Sequence, residues 1–273
     1  MKKTINLLTI LSIVLILAAC GNSGDKDENE IVVGAQSVPH AEILEEAKPI
    51  LEEERINLVI EPYEDYVLPN DDLANGDLDA NFFQHIPYLE QTVEDTGYDL
   101  DYIDGIHIEP MGVYSKTINS IDDIKEGTEV LLSNSVADHG RILSLFEKEG
   151  FITLDENVDE DSATIDDITD NPKDLTFIPD YDPAFLPELY ETEEDTLVVI
   201  NTNYAINAGL NPLEDALFIE SEESPYVNVI AVKTEDKDNE ALNTLVDVLH
   251  SDEIQDFIID EYEGAIVPVG NSN

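Results

Sequence analysis

The sequence predicts an α/β protein in two lobes, on three observations. Short β-rich runs alternate with amphipathic helical stretches, as in βαβ units. The alternation breaks off mid-chain and resumes near the C-terminus. The 42% hydrophobic content supplies packed cores for the roughly 240 residues that follow a polar N-terminal stretch.

The first lobe opens with "EIVVGA" (30–35), a buried strand ending at a glycine. "PHAEILEEAKPILEEE" follows, with Ile43, Leu44, Ala47, Ile50 and Leu51 on one helical stripe. Pro49 lies inside it and predicts a kink or a tightened turn. "INLVIE" (56–61) and "LDANFF" (78–83) read as the next two strands, and "IHIEPMGVYS" (106–115) as one extended run. A second unit begins with a short helix over 120–127, the strand "TEVLLSN" (128–134) and the helix "DHGRILSLFEKEG" (138–150). "DLTFIP" (174–179) and "TLVVIN" (196–201) are further strands. "YVNVIAV" (226–232) alternates as a strand, and helices are expected over Glu240–Leu249 and Ser251–Tyr262. The chain thus leaves the first lobe after 106–115 and re-enters it near 226. This gives residues 31–116 and 222–273 to lobe I and 117–221 to lobe II. Two crossover strands form a hinge, and the strand ends after Val33, Asn81, Ser133 and Asn201 face one cleft, where open α/β sheets bind ligands.

The N-terminus sets the compartment. Lys2 and Lys3 precede the apolar run Ile5–Leu17, and Leu17-Ala18-Ala19-Cys20 follows, so residues 1–19 read as a secretory signal. The apolar run is shorter than the about 20 residues a membrane span needs. Cys20 is the sole cysteine, which rules out an intrachain disulfide. Residues 20–30 read as a tether free of large apolar groups.

Twelve basic and 63 acidic residues give a net charge of −51, or −53 once Lys2 and Lys3 leave with the signal. Nucleic acid is excluded as a partner, because binding it needs a basic face. The acids are dispersed, not gathered at calcium-loop spacing. A uniform acidic coat stays hydrated where salt screens its repulsion, which points to salty, and also alkaline, surroundings.

Catalytic signatures are missing: there is no G-x-S-x-G, G-x-G-x-x-G, phosphate loop or H-E-x-x-H. The chain reads as a binding protein without a cofactor rather than an enzyme. The five histidines are scattered; a zinc site built from His40, His85, His107 and an acid is the alternative reading. Arginine is more informative, since there are only two. Arg55 ends an acidic surface helix. Arg141 lies in the first turn of a helix fed by a strand end, where free N–H groups favour anions and a guanidinium adds a bidentate fork. The competing reading is a salt bridge to Asp138 or Glu147. Asn203 and Asn228 sit at strand positions where asparagine is unfavourable and, if buried, needs partners. They either cap turns or hold a ligand. With the aromatic stretch at Phe82, Phe83 and His85, these residues describe a receptor for a zwitterion with an apolar side chain.

Six segments carry a family resemblance: "PHAEILEEAKPIL", "DYVLPN", "DANFFQHIPYLE", "EPMGVYSK", "NTNYAINAGLNPLEDALF" and "SPYVNVIAV". Together, from about Ile31 to Pro268, they resemble the methionine-binding lipoproteins of bacterial ABC importers, the NlpA lipoprotein family. Leu17–Cys20 resembles the lipobox of such proteins. The resemblance implies a type 2 periplasmic-binding-protein-like fold, acylation of Cys20 and anchoring on the outer side of the cell membrane. It implies closure over free methionine and delivery to a permease driven by an ATPase. Residue by residue, it implies that Arg141 takes the carboxylate and that Asn203 and Asn228 hold the amino group and carboxylate. Tyr66, Phe83 and His85, with Phe82 nearby, would wall the thioether pocket. The sequence departs from the family's "NDPTNEGR" at "NSVADHGR" (134–141), which puts Asp138 where an asparagine is usual. That carboxylate either grips the ammonium or pairs with Arg141, and L-methionine, D-methionine or another small amino acid remains open as ligand.

The acidic coat generates a first expectation. Melting temperature, followed by calorimetry from low to molar salt, rises steeply with ionic strength; a flat profile would remove the inference about habitat.

Overall fold

β1 (Glu30–Gln36) enters a turn at 37–41 and then α1 (Glu42–Glu53), whose Leu44, Ala47 and Leu51 are fully buried. The helix runs on through Pro49 as one element. β2 (Asn57–Tyr63), α2 (Leu68–Asn75) and β3 (Ala80–His85) follow, then α3 (Ile86–Thr96) and β4 (Leu100–Ile108). β5 (Gly112–Tyr114), β6 (Glu129–Ser133) and α4 (Val136–Lys148) open the second unit. It continues with β7 (Thr153–Leu154), β8 (Ile168–Asp170), β9 (Thr176–Tyr181) and α5 (Leu186–Thr192). β10 (Leu197–Ile200), α6 (Thr202–Asn207), α7 (Pro212–Asp215) and β11 (Phe218–Ile219) complete it. β12 (Val227–Lys233), α8 (Glu240–Leu249), α9 (Asp252–Tyr262) and β13 (Val267–Pro268) close the chain. This is a computed structural model, and it describes residues 29–159, 162–221 and 224–270. The expected signal, Cys20 and all but the last two residues of the tether lie outside the described residues.

The strands form two main sheets. The first has the order β13-β4-β12-β3-β1-β2 and the second β11-β5-β10-β6-β9. β1 pairs parallel with β3, and β6 parallel with both β9 and β10, as the βαβ pattern requires. β12 inserts antiparallel between β3 and β4. The chain passes from the first sheet to the second between β4 and β5 and returns between β11 and β12. The stretch 106–115, read from sequence as one strand, is therefore two strands in different sheets. Pro110, with no amide donor, ends the first of them.

Both faces of each sheet are covered, and the period of two along the strands divides the cores. Ile230 and Val232 pack with Phe82, Leu44, Leu245 and Ile258, whereas Val229 and Ala231 pack with Leu73, Leu78 and Leu89. In the second sheet, Leu197 and Val199 join Phe146, Phe151 and Phe218, whereas Val198 and Ile200 join Tyr114, Leu186 and Tyr204. Gly34 is required by a close approach: a Cβ there would lie 2.5 Å from Leu78 Cδ1 and 2.9 Å from Tyr63 Cε2.

Phe146 is fully buried, with its ring centroid 5.1 Å from Phe177 and 5.3 Å from Phe218. Phe146→Ala is expected to destabilise the second unit by about 3–5 kcal/mol, measured by denaturant unfolding.

Candidate functional site

The ends of β3, β6 and β10 and the crossing after β4 converge on a cavity of about 400 Å³ of empty space, its mouth included. Its wall comprises Tyr66, Phe83, Gln84, His85, Tyr88, Glu109, Asp138, Arg141, Asn201, Thr202, Asn203 and Asn228.

His85 ends β3 and caps α3. Its Nδ1 accepts the Tyr88 backbone N–H at 3.1 Å. An amide can only donate, so Nδ1 carries the lone pair and Nε2 the proton. Nε2 donates to Asp138 Oδ1 at 3.1 Å, and Asn201 Nδ2 donates to Asp138 Oδ2 at 3.4 Å. Burial opposes charge on Asp138. The His85 bond, the Arg141 guanidinium at 3.6 Å and the Asn201 amide outweigh it and hold the carboxyl below its ordinary range.

Arg141 comes from the second turn of α4. Its Nη2 donates to Glu220 Oε2 at 2.5 Å and to the Glu109 carbonyl at 3.0 Å, and Tyr226 lies 4.5 Å from the guanidinium carbon. Glu220 also accepts the Met111 N–H at 3.2 Å and the Ser224 hydroxyl at 2.9 Å. The arginine is thus fastened to both crossings between the sheets. Neither sequence-level partner is the main one: Asp138 is the more distant, and Glu147 accepts the Leu154 N–H. Arg141 Nε is buried without a partner, and so is Asn201 Oδ1. A donor and an acceptor left open in one cavity wall suit a ligand carrying both charges.

The apolar side is aromatic. The Tyr66 ring lies 5.8 Å from Phe83, 5.0 Å from Tyr204 and 6.0 Å from Tyr88. The Tyr66 hydroxyl donates to Asn203 Oδ1 at 2.6 Å, and the Tyr204 hydroxyl to the Glu64 carbonyl at 2.9 Å. With the His85–Asp138 bond, these ties hold the groups of the first sheet to those of the second. Asn228 Oδ1 lies 3.1 Å from His40 Nε2, and the Asn203 backbone N–H donates to Glu109 Oε2 at 3.2 Å.

Tyr66, Phe83, His85, Asp138, Arg141, Asn203 and Asn228, all singled out from sequence, line this one cavity. Phe82 does not. Strand alternation turns it into the core, where its ring lies 4.7 Å from His40 and 5.2 Å from His107. Sequence reasoning did not single out Gln84, Tyr88, Glu109, Asn201 or Thr202 as wall residues. The "NTN" run at 201–203 held a usable signal, since a polar strand end feeding a helix faces the cleft.

Of the expected zinc donors, His85 lies apart on Asp138, while His40 and His107 come together with the acid Glu109, their Nε2 atoms 3.1 and 2.8 Å from its Oε1 and the three ligand atoms within 4.8 Å of one another. A metal-bound imidazole donates its other ring N–H, but Nδ1 of both His40 and His107 is buried without a partner. That donor set does not fit zinc.

Residues 31–270 match the family model described as NlpA lipoprotein. The chain belongs to the NlpA lipoprotein family. Among family members, the methionine-binding lipoprotein MetQ of Bacillus subtilis (strain 168) is 44% identical over 273 residues, covering 98% of this chain and 99% of the relative. A nutrient binding protein from Burkholderia cenocepacia, solved bound to methionine, superposes with a TM-score of 0.82 at 37% identity, covering 87% of this chain and 99% of that one. An ABC transporter periplasmic substrate-binding protein from Coxiella burnetii gives a TM-score of 0.82 at 36% identity, covering 88% and 100%. These relatives share the two-lobed binding-protein fold.

The site makes a pH prediction. The folded pKa of Asp138 is depressed, so its stabilising contribution is full above its unfolded value of about 3.9 and is lost as pH falls through the folded value. Asp138→Asn is expected to lower stability at pH 7 and to flatten the acid limb below about pH 4. Urea unfolding of both proteins across pH 2–7 measures the difference, which cancels the relief of surface repulsion common to the two.

Proposed function

We propose that the chain is the substrate-binding lipoprotein of an ABC importer, taking free methionine in the cleft and passing it to a membrane permease powered by an ATPase subunit. The protein acts by binding, not by turnover. Cys20 carries the lipid after removal of residues 1–19, and residues 20–30 tether the domain to the outer side of the cell membrane. The first lobe is built on the sheet of β1–β4, β12 and β13, the second on that of β5, β6 and β9–β11.

One observation carries the reading: Arg141, whose Nε has no partner among the described residues, and Asn201, whose amide oxygen has none, line one cavity with an aromatic wall. Arg141 receives the carboxylate as a charge-assisted bond. Asn203 and Asn228 orient the polar end, and Tyr66, Phe83 and His85 enclose the thioether. Burying that side chain contributes roughly 1.5–3 kcal/mol, and sulfur against ring edges adds to it. The ligands for which the relatives are named, and the methionine bound in one of them, support methionine as the first compound to test, with D-methionine second.

Calorimetric titration of unfolded-and-refolded, ligand-stripped protein at high salt is expected to give one-to-one binding at micromolar concentration or tighter. Arg141→Ala takes the cation from Glu220 and removes the anion site, weakening binding by about 3–4 kcal/mol, or roughly 10²–10³ in affinity. An unchanged dissociation constant in that variant would count against the assignment.

A further inference from the structure

Glu109 is the buried acid that the sequence gave no reason to choose, and its surroundings are unlike those of any other carboxylate in the wall. It lies on the crossing from β4 to β5, only 8% exposed, with its carbonyl bound by Arg141 and its side chain directed to two imidazoles. Oε1 accepts from His107 Nε2 at 2.8 Å and lies 3.1 Å from His40 Nε2, whose hydrogen bond goes to Asn228 Oδ1. Oε2 accepts the Asn203 backbone N–H at 3.2 Å. A carboxylate offers about four acceptor positions, so these two hydrogen bonds leave it with capacity for another donor. Glu109 is part of the cavity wall. Beside it stands Asn228 Oδ1, whose contact from the protein is His40 Nε2 at 3.1 Å.

The histidines fix the proton arrangement. Among the described residues, Nδ1 of each is buried with no partner, a state an acceptor lone pair tolerates better than an N–H does. The protons therefore sit on Nε2: that of His107 is donated to Glu109, and that of His40 to Asn228 Oδ1 beside Glu109. Phe82 meets both rings edge-on, at interplanar angles of 89° and 70°, and holds them in place. Asp138 is the rival acceptor for a ligand cation, but it is already bound by His85 and Asn201 and lies 3.6 Å from Arg141.

We propose that Glu109 receives the α-ammonium group of the bound ligand, and that His40 and His107 are positioning residues holding its carboxylate toward the cavity. Arg141 and Glu109, joined through the Arg141–carbonyl bond, then read the two ends of one zwitterion. This inference rests on the amino-acid-binding reading above and extends it to the recognition of the amine.

The charged and titratable groups round Glu109 are His40 and His107, Arg141 with its partners Asp138 and Glu220, and the hydroxyls of Tyr66 and Tyr262. Burial opposes ionisation of Glu109 and is outweighed by the two imidazoles, which hold it far below the ordinary glutamate range. Burial in turn pushes the His107 imidazole down, against the pull of Glu109.

The test compares L-methionine with 2-hydroxy-4-methylsulfanylbutanoate, which keeps the shape and carboxylate but lacks the ammonium. Both are titrated into the mature chain and its Glu109→Gln variant at pH 7.5. The variant is expected to bind methionine about 10- to 100-fold more weakly, the range of a lost charge-assisted bond, and the hydroxy analogue as the wild type does. Equal losses for both compounds, or no loss for methionine, overturn the proposal and leave the methionine reading standing. Failure of the wild type to bind methionine overturns that reading and this inference with it.

The positioning role has its own readout. His107→Leu removes a donor and lets the Glu109 pKa rise, so methionine affinity is expected to fall about tenfold between pH 7.5 and 5.5. His107→Gln restores a donor that does not titrate and is expected to restore the wild-type profile. A leucine variant with the wild-type pH profile overturns the role.

Discussion

Burying the Arg141 guanidinium constrains the rest of the cleft. At 6% exposure it has lost nearly all its water, and such a charge is tolerated only where geometry returns what desolvation removes. The return comes from three directions: Glu220 on the second crossing, the Glu109 carbonyl on the first, and the face of Tyr226. The partners of the arginine thus lie on the two segments that join the sheets. If the arginine holds the ligand as proposed, ligand contact and the joining of the sheets share one set of bonds.

The acids of the wall occupy distinct electrostatic settings. Glu220 serves the arginine, Asp138 stands between His85 and Asn201, and Glu109 sits on His40 and His107. Each is compensated locally, so the cleft does not add its charge to the −51 of the chain as a free field. The surface is governed by solvent and salt; the interior by short bonds at fixed distances.

What the sequence revealed follows that division. Arg141 stood out because cations are scarce, Asn228 because an amide is costly in a strand, and Asn203 because it follows a strand end. Strand periodicity located β1, β3, β6, β10 and β12, since apolar alternation records burial directly. Glu109 was hidden among 63 acids, because nothing in a one-dimensional pattern separates a buried carboxylate from a solvated one. Phe82 was assigned to the pocket for a related reason. A shift of one residue on a strand moves a side chain to the other face, and the run "NFFQ" does not announce which phenylalanine faces which way. α2, α3 and the crossing at Pro110 depend on contacts distant in sequence, and local propensity is silent there.

His85 holds its own helix with one nitrogen and the opposite lobe with the other. The first bond lies within one rigid piece; the second spans the gap between two. If the lobes part as proposed, of these two bonds the one at Nε2 breaks and the ring stays seated on α3. In that motion the imidazole is a latch whose bolt stays mounted on one leaf, ready to engage the same acid again.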